Sequence, residues 1–110
     1  MADLANDLSP DGLYHLATAQ EWASYELGSQ ISPASLTAEG FVHCSWGRQV
    51  AGTVRRHFAG VDGILALRLE PAALGDVALV EEDTTGSGQR FPHAYGPIPR
   101  LAVIDVTVLS

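Results

Sequence analysis

At 110 residues the chain has the length of one domain and is too short for two independent cores. Thirteen acidic side chains against six basic ones give a formal charge of −7, which disfavours nonspecific binding to nucleic acid or to an anionic membrane. All six basic residues are Arg, so lysine Schiff-base and P-loop lysine chemistry are excluded.

Apolar residues make up 46% of the chain and charged residues 17%, a balance that supports a packed core over most of its length. Cys44 is the single cysteine and has no partner for an internal disulfide. No charged segment followed by an apolar stretch opens the chain, and no apolar run approaches the roughly 20 residues that span a bilayer. The expectation is a cytoplasmic protein that does not enter membranes.

Residues 1–11 carry three Asp and one Pro without periodicity and read as a loose leader, with a single domain over 12–110. Leu13 to Ala17 reads as a strand, and Thr18 with Glu21 forms a capping-box pattern that starts a helix. Trp22 and Tyr25 fall on its core face, and Gly28 ends it. Residues 29–40 lack a period and read as a surface loop.

Phe41 to Cys44 reads as a short strand, with Ser45 as N-cap of a second helix running to Ala59. Val50, Val54 and Phe58 form its apolar stripe. Gly63 to Leu69 is a buried-strand pattern that breaks at Pro71, and a further strand is expected over Val77 to Val80. Thr84 to Gln89 is a polar turn. The three prolines between Phe91 and Pro99 predict a rigid loop and exclude a central strand, while Leu101 to Leu109 reads as an internal closing strand.

Candidate chemistry gathers on histidines. His15, His43 and His93 lie beside strands or the Pro-rich segment; each reads either as a structural histidine or as part of a shared cleft able to hold a hydroxyl-rich or phosphorylated ligand. His57 sits on the Arg55–Arg56 edge of the second helix and reads as solvated. No metal-ligand spacing occurs, so no metal site is expected. Cys44 reads as a buried structural thiol, since His43 beside it points to the opposite face of a strand.

Glu81, Glu82 and Asp83 form an acidic strand end. Of these, Glu81 is the candidate to accept a ribose hydroxyl or to stabilise a developing cation, and Arg90 is the candidate counter-charge for a phosphate. A solvated edge and a surface ion pair are the bland readings of the same residues.

Leu13-Tyr14-His15, Glu39-Gly40-Phe41-Val42-His43-Cys44-Ser45 and Arg90-Phe91-Pro92-His93-Ala94-Tyr95-Gly96-Pro97 together resemble the family of small bacterial proteins called domain of unknown function 952. The resemblance covers nearly the whole chain after residue 12. It implies an ADP-ribosyltransferase-like α+β fold, with two main helices around a split, strongly bent and mainly antiparallel sheet.

It also implies a nucleotide cleft in which NAD is a substrate rather than a resident cofactor. Tyr14 and His15 resemble the position that contacts a ribose of NAD in the wider superfamily, His43 and Ser45 would line the same cleft, and Arg90 and Tyr95 would contact ligand. Any catalysis would fall to His43, Glu81 and His93. The family has no settled activity, and the chain has His15-Leu16-Ala17 where His-Gly-Thr is typical of the superfamily. Two readings follow: an ADP-ribosyl-transfer or glycohydrolase-type enzyme, and a noncatalytic module that binds a small molecule or protein on the same fold.

Overall fold

The alternating apolar runs pair into antiparallel sheets in the computed structural model, which describes residues 8–109. In chain order the elements are β1 (Leu13–Ala17), α1 (Ala19–Glu26), β2 (Gln30–Ile31), α2 (Ala34–Glu39), β3 (Val42–His43), β4 (Ser45–Trp46) and α3 (Gly47–His57). They continue with β5 (Ile64–Leu69), β6 (Ala78–Glu82), β7 (Phe91–Tyr95), β8 (Ile98–Pro99) and β9 (Val103–Leu109). One sheet has the order β4-β1-β5-β9, a second has β3-β7-β6, and β2 pairs with β8.

Two apolar layers follow from strand alternation. Leu13, Ala17, Leu65, Leu67 and Leu69 face one way from the four-stranded sheet and pack with Val42 and Ala94 of the three-stranded sheet, and with Tyr25 of α1. Tyr14, Leu16, Ile64 and Ala66 face the other way and meet the Val50, Val54 and Phe58 stripe of α3. The capping box at Thr18 is formed in both directions: Glu21 N–H donates to Thr18 Oγ1, and Thr18 N–H donates to Glu21 Oε1. Such a cap contributes about 1 kcal/mol.

Several elements depart from the sequence expectations for local reasons. Residues 29–40 hold β2 and α2 rather than a bare loop: Pro33 opens the helix and Gly40, at φ 87°, closes it. Helix α3 starts at Gly47 with Trp46 as N-cap, so Ser45 lies in a strand; Trp46 N–H donates to Gln49 Oε1.

The segment expected to be a rigid loop contains β7, the central strand of its sheet. Pro92 is tolerated there because it faces Cys44, in the gap between β3 and β4. Cys44 N–H donates to the Pro92 carbonyl, and the return bond, which proline cannot donate, falls where no regular ladder runs.

Among the described residues the closing strand β9 is an edge strand, not an internal one. Its Val/Ile content suggested burial on both sides, yet Ile104, Val106 and Val108 are exposed. A register shift against Arg68–Leu69 interrupts its ladder, and Asp105 Oδ1 accepts the Val106 N–H.

Residues 1–7 of the expected leader lie outside the described residues. The rest of it is held: Leu8 is buried, Ser9 N–H donates to Tyr14 Oη, and Arg48 N–H donates to the Pro10 carbonyl. The packed chain therefore reaches back at least to Leu8. Gly47 makes this possible, since a Cβ there would overlap the Ser9 carbonyl. Gly47→Ala is expected to cost about 2 kcal/mol through overpacking against backbone. The melting temperature should then fall by about 8 °C or more, measured by thermal unfolding.

Candidate histidine cleft

Strand β1 places His15 on the face that looks toward the second sheet, and burial leaves it 6% exposed. A ring nitrogen in that setting needs a partner. His15 Nδ1 lies 2.7 Å from the His43 carbonyl. A carbonyl only accepts, so Nδ1 carries the hydrogen. Desolvation is the largest influence on the ring and holds its pKa below the ordinary 6.5.

In the second sheet His43 of β3 and His93 of β7 are directly opposite in register, with ring centroids 5.3 Å apart. Phe41 fixes both ring planes: it stacks on His93 at 4.1 Å and meets His43 edge-on at 4.9 Å. His43 Nε2 pairs with Glu39 Oε2 at 2.7 Å from one α2 turn upstream. His93 Nδ1 pairs with Glu82 Oε1 at 3.0 Å, and the same oxygen accepts the Tyr95 hydroxyl. The Tyr95 bond, then the His93 bond, hold the Glu82 carboxyl below its usual range.

These groups open on a cleft of about 600 Å³. The three histidines and Glu82 line it together with Ser45 and Thr53, whose hydroxyls are 3.2 Å apart. Arg56 and His57 at the end of α3, with Arg56 over the Phe91 ring, and the loop that starts at Asp83 complete the lining. Asp83 organises that loop from inside. Its carboxylate accepts the N–H groups of Thr85, Gly86, Ser87 and Gly88, and these bonds, Gly88 foremost, lower its pKa.

The structure sorts the candidate residues. It brings His15, His43, His93 and Ser45 to one cleft, with Tyr95 joined to it through Glu82. Tyr14 faces the other side, buried under α3, because it alternates with His15 on β1. Glu81 also alternates away: it accepts the Trp46 Nε1 hydrogen at 2.8 Å, and Glu82 takes the cleft-side position. Arg90 lies outside the lining and is tied by its carbonyl to Gln49 Nε2, so Arg56 is the guanidinium at the cleft.

Glu82 was legible only once β6 is known to run past Val80, since period two then puts Val80, Glu82 and His93 on one face. His57 is both exposed, as expected, and part of the lining. Cys44 is buried, and desolvation pushes its thiol up to about 12, so it offers no thiolate. Among the described residues no group of three His, Cys, Asp or Glu side chains is placed to hold a metal ion. No helix among them is long and apolar enough to cross a membrane.

Residues 16–106 match the model of the protein family of unknown function DUF952. The chain belongs to that family. Its fold is also that of protein CC0527 from Caulobacter crescentus: the crystal structure is 30% identical with a TM-score of 0.78, covering 90% of this chain and 86% of that one. The solution structure of CC0527 gives 30% identity and a TM-score of 0.74, over 88% and 83% of the two chains. No curated protein matches the chain.

Two measurements test this geometry. The unfolded chain binds a proton at His15 near 6.5 whereas the native ring resists it, so the stability from neutral His15 is complete above that value and is lost as pH falls below it toward the native pKa. His15→Asn keeps a donor for the His43 carbonyl without titrating. Melting temperature should therefore fall less in the variant than in the parent between about pH 7.5 and about pH 5.5; equal losses would contradict a neutral buried ring. Cys44 should resist an alkylating reagent in the native protein at mildly alkaline pH and react once denaturant unfolds it, followed by intact mass.

Proposed function

We propose that the histidine cleft binds NAD or a related ADP-ribosyl compound, on an ADP-ribosyltransferase-like arrangement of the two sheets. The observation that carries this reading is the meeting of His15, His43 and His93 with Glu82 and Arg56 around one cleft of about 600 Å³, a size typical of small-molecule sites. Histidine rings and serine or threonine hydroxyls suit a sugar, and Arg56 supplies a cation for a phosphate. The family resemblance at His15 and at His43-Cys44-Ser45 points the same way.

If the cleft is catalytic, the glycosidic bond breaks through a state with oxocarbenium character. Glu82, which lines the cleft where Glu81 does not, takes the stabilising role in this reading, and His43 or His93 transfers a proton. A second reading, a noncatalytic module, is favoured by two specific features. Glu82 Oε1 is already engaged by two donors, and β1 carries Leu16 where a glycine would let a nicotinamide amide approach the backbone.

Thermal unfolding with added NAD and ADP-ribose tests binding. A ligand at about five times its dissociation constant raises native stability by about 1 kcal/mol, a shift of about 4–8 °C in a domain of this size. The shift is expected to saturate and to vanish in the His15→Ala, His43→Ala double variant. Nicotinamide release on long incubation separates the enzyme from the module, and absence of any shift at millimolar concentrations of both ligands overturns the assignment.

A further inference from the structure

His43 and His93 form two carboxylate–imidazole dyads set against each other. Glu39 holds His43 at Nε2 and Glu82 holds His93 at Nδ1. The β3–β7 register puts the two rings opposite, with planes at 79° and centroids 5.3 Å apart. A carboxylate only accepts, so the engaged nitrogen of each ring carries a hydrogen. The other nitrogen is a base when the ring is neutral and an acid when it is protonated. Those nitrogens are His43 Nδ1 and His93 Nε2, and neither has a hydrogen-bond partner among the described residues. His93 is almost fully buried, yet no buried side-chain nitrogen among these residues lacks a partner, so its Nε2 reaches the open space of the cleft.

The dyads differ in access. The His43 and Glu39 side chains are both half-exposed, so this ring exchanges its proton with solvent directly and is readily reloaded as an acid. The His93 side chain is closed in beneath the stacked Phe41 ring, which leaves it as the base. Around the pair, His15 of β1 gives its Nδ1 hydrogen to the His43 carbonyl, and Tyr95 of β7 gives its hydroxyl hydrogen to Glu82. Glu21 of α1 and Asp83 of the loop after β6 line the same cleft, as do Arg56, which lies over Phe91, and His57 next to it on α3.

Carboxylates in a cleft accelerate a reaction where they meet positive charge that grows only in the transition state. NAD brings a pyridinium charge already in its ground state, so Glu21, Glu82 and Asp83 favour substrate and transition state alike. Its nicotinamide also leaves without taking up a proton. A ribosyl bond to an uncharged base gains positive charge as it breaks, and its leaving nitrogen needs a proton. A paired acid and base is surplus to the first reaction and required by the second.

We infer that the cleft hydrolyses a ribosyl bond whose leaving group is uncharged, such as the N-glycosidic bond of a purine nucleoside, with His93 as base and His43 as acid. This rests on the ribosyl-ligand reading and names its substrate class. His93 Nε2 takes a proton from water as the water oxygen bonds to the anomeric carbon. The carbon–nitrogen bond breaks, its electron pair stays with the leaving base, and that base takes the proton from His43 Nδ1. The products are a free anomeric hydroxyl and a neutral base, and solvent returns the proton from His93 to His43.

Hydrolysis of inosine, NAD and 4-nitrophenyl β-D-ribofuranoside is followed between about pH 5 and about pH 9, a range that spans imidazole titration. Inosine should be cleaved with a rate that falls at both ends of the range, and NAD about tenfold or more slowly. The nitrophenyl riboside has a leaving group that needs no proton, so its profile should keep the acid limb and lose the alkaline one. His43→Gln should slow inosine by about 100-fold and leave the nitrophenyl riboside nearly unchanged, whereas His93→Gln should slow both by about 100-fold. Thermal unfolding verifies that the variants fold, and the two parent profiles carry the test without them.

Faster cleavage of NAD than of inosine, or equal losses on the nitrophenyl riboside in the two variants, overturns the inference. If none of the three is cleaved while NAD or ADP-ribose still shifts the melting temperature, the inference falls and the binding reading stands. If neither ligand shifts it, both fall.

Discussion

The hydrogen bond from the His15 ring to the His43 carbonyl ties the two sheets together across 28 positions of sequence. It joins β1, at the middle of the four-stranded sheet, to β3, at the edge of the other, and it lies at the wall of the cleft that opens between them. A buried polar atom left without its partner costs about 1–3 kcal/mol, so the bond fixes the sheet spacing and the His15 tautomer at once. Opposite it, the β3–β7 register places His43 against His93, and Phe41 holds both ring planes. The histidine wall of the cleft is therefore a product of sheet registration, and the loop that starts at Asp83 adds to its lining.

Carboxylates hold the second layer. Glu82 is shared by the His93 ring and the Tyr95 hydroxyl, while Glu39 reaches His43 from the preceding helix turn. Such partners orient imidazoles and decide which nitrogen is left for a ligand. The Asp83 carboxylate serves a different purpose: by collecting four backbone N–H groups it gives the neighbouring loop a fixed shape, and it uses up donors that a phosphate would otherwise seek.

Strong local periodicity made much of the fold legible from sequence. The strand at Leu13–Ala17, the capping box at Thr18, the α3 stripe and the buried β5 run all follow from patterns that fix their own geometry. What escaped was set by partners elsewhere in the chain. The two-residue strands β2 and β8 exist only because they pair with each other. Pro92 enters a central strand because Cys44, 48 positions away, lies at a break between strands. The histidine segments were visible as candidates, but choosing Glu82 over Glu81 and Arg56 over Arg90 required knowing where β6 and α3 end. A one-residue difference in a strand sends a side chain to the opposite face.

The exposed edge of β9 has a further meaning. Among the described residues this valine-rich strand is paired along one side only, and such an edge is a template on which a second chain can add. Here the Asp105 carboxylate already occupies the Val106 N–H, and the ladder shift beside it breaks the straight run of free groups. An incoming strand would have to displace a negative charge to gain one central bond. A single aspartate thus blunts the apolar border that this strand presents.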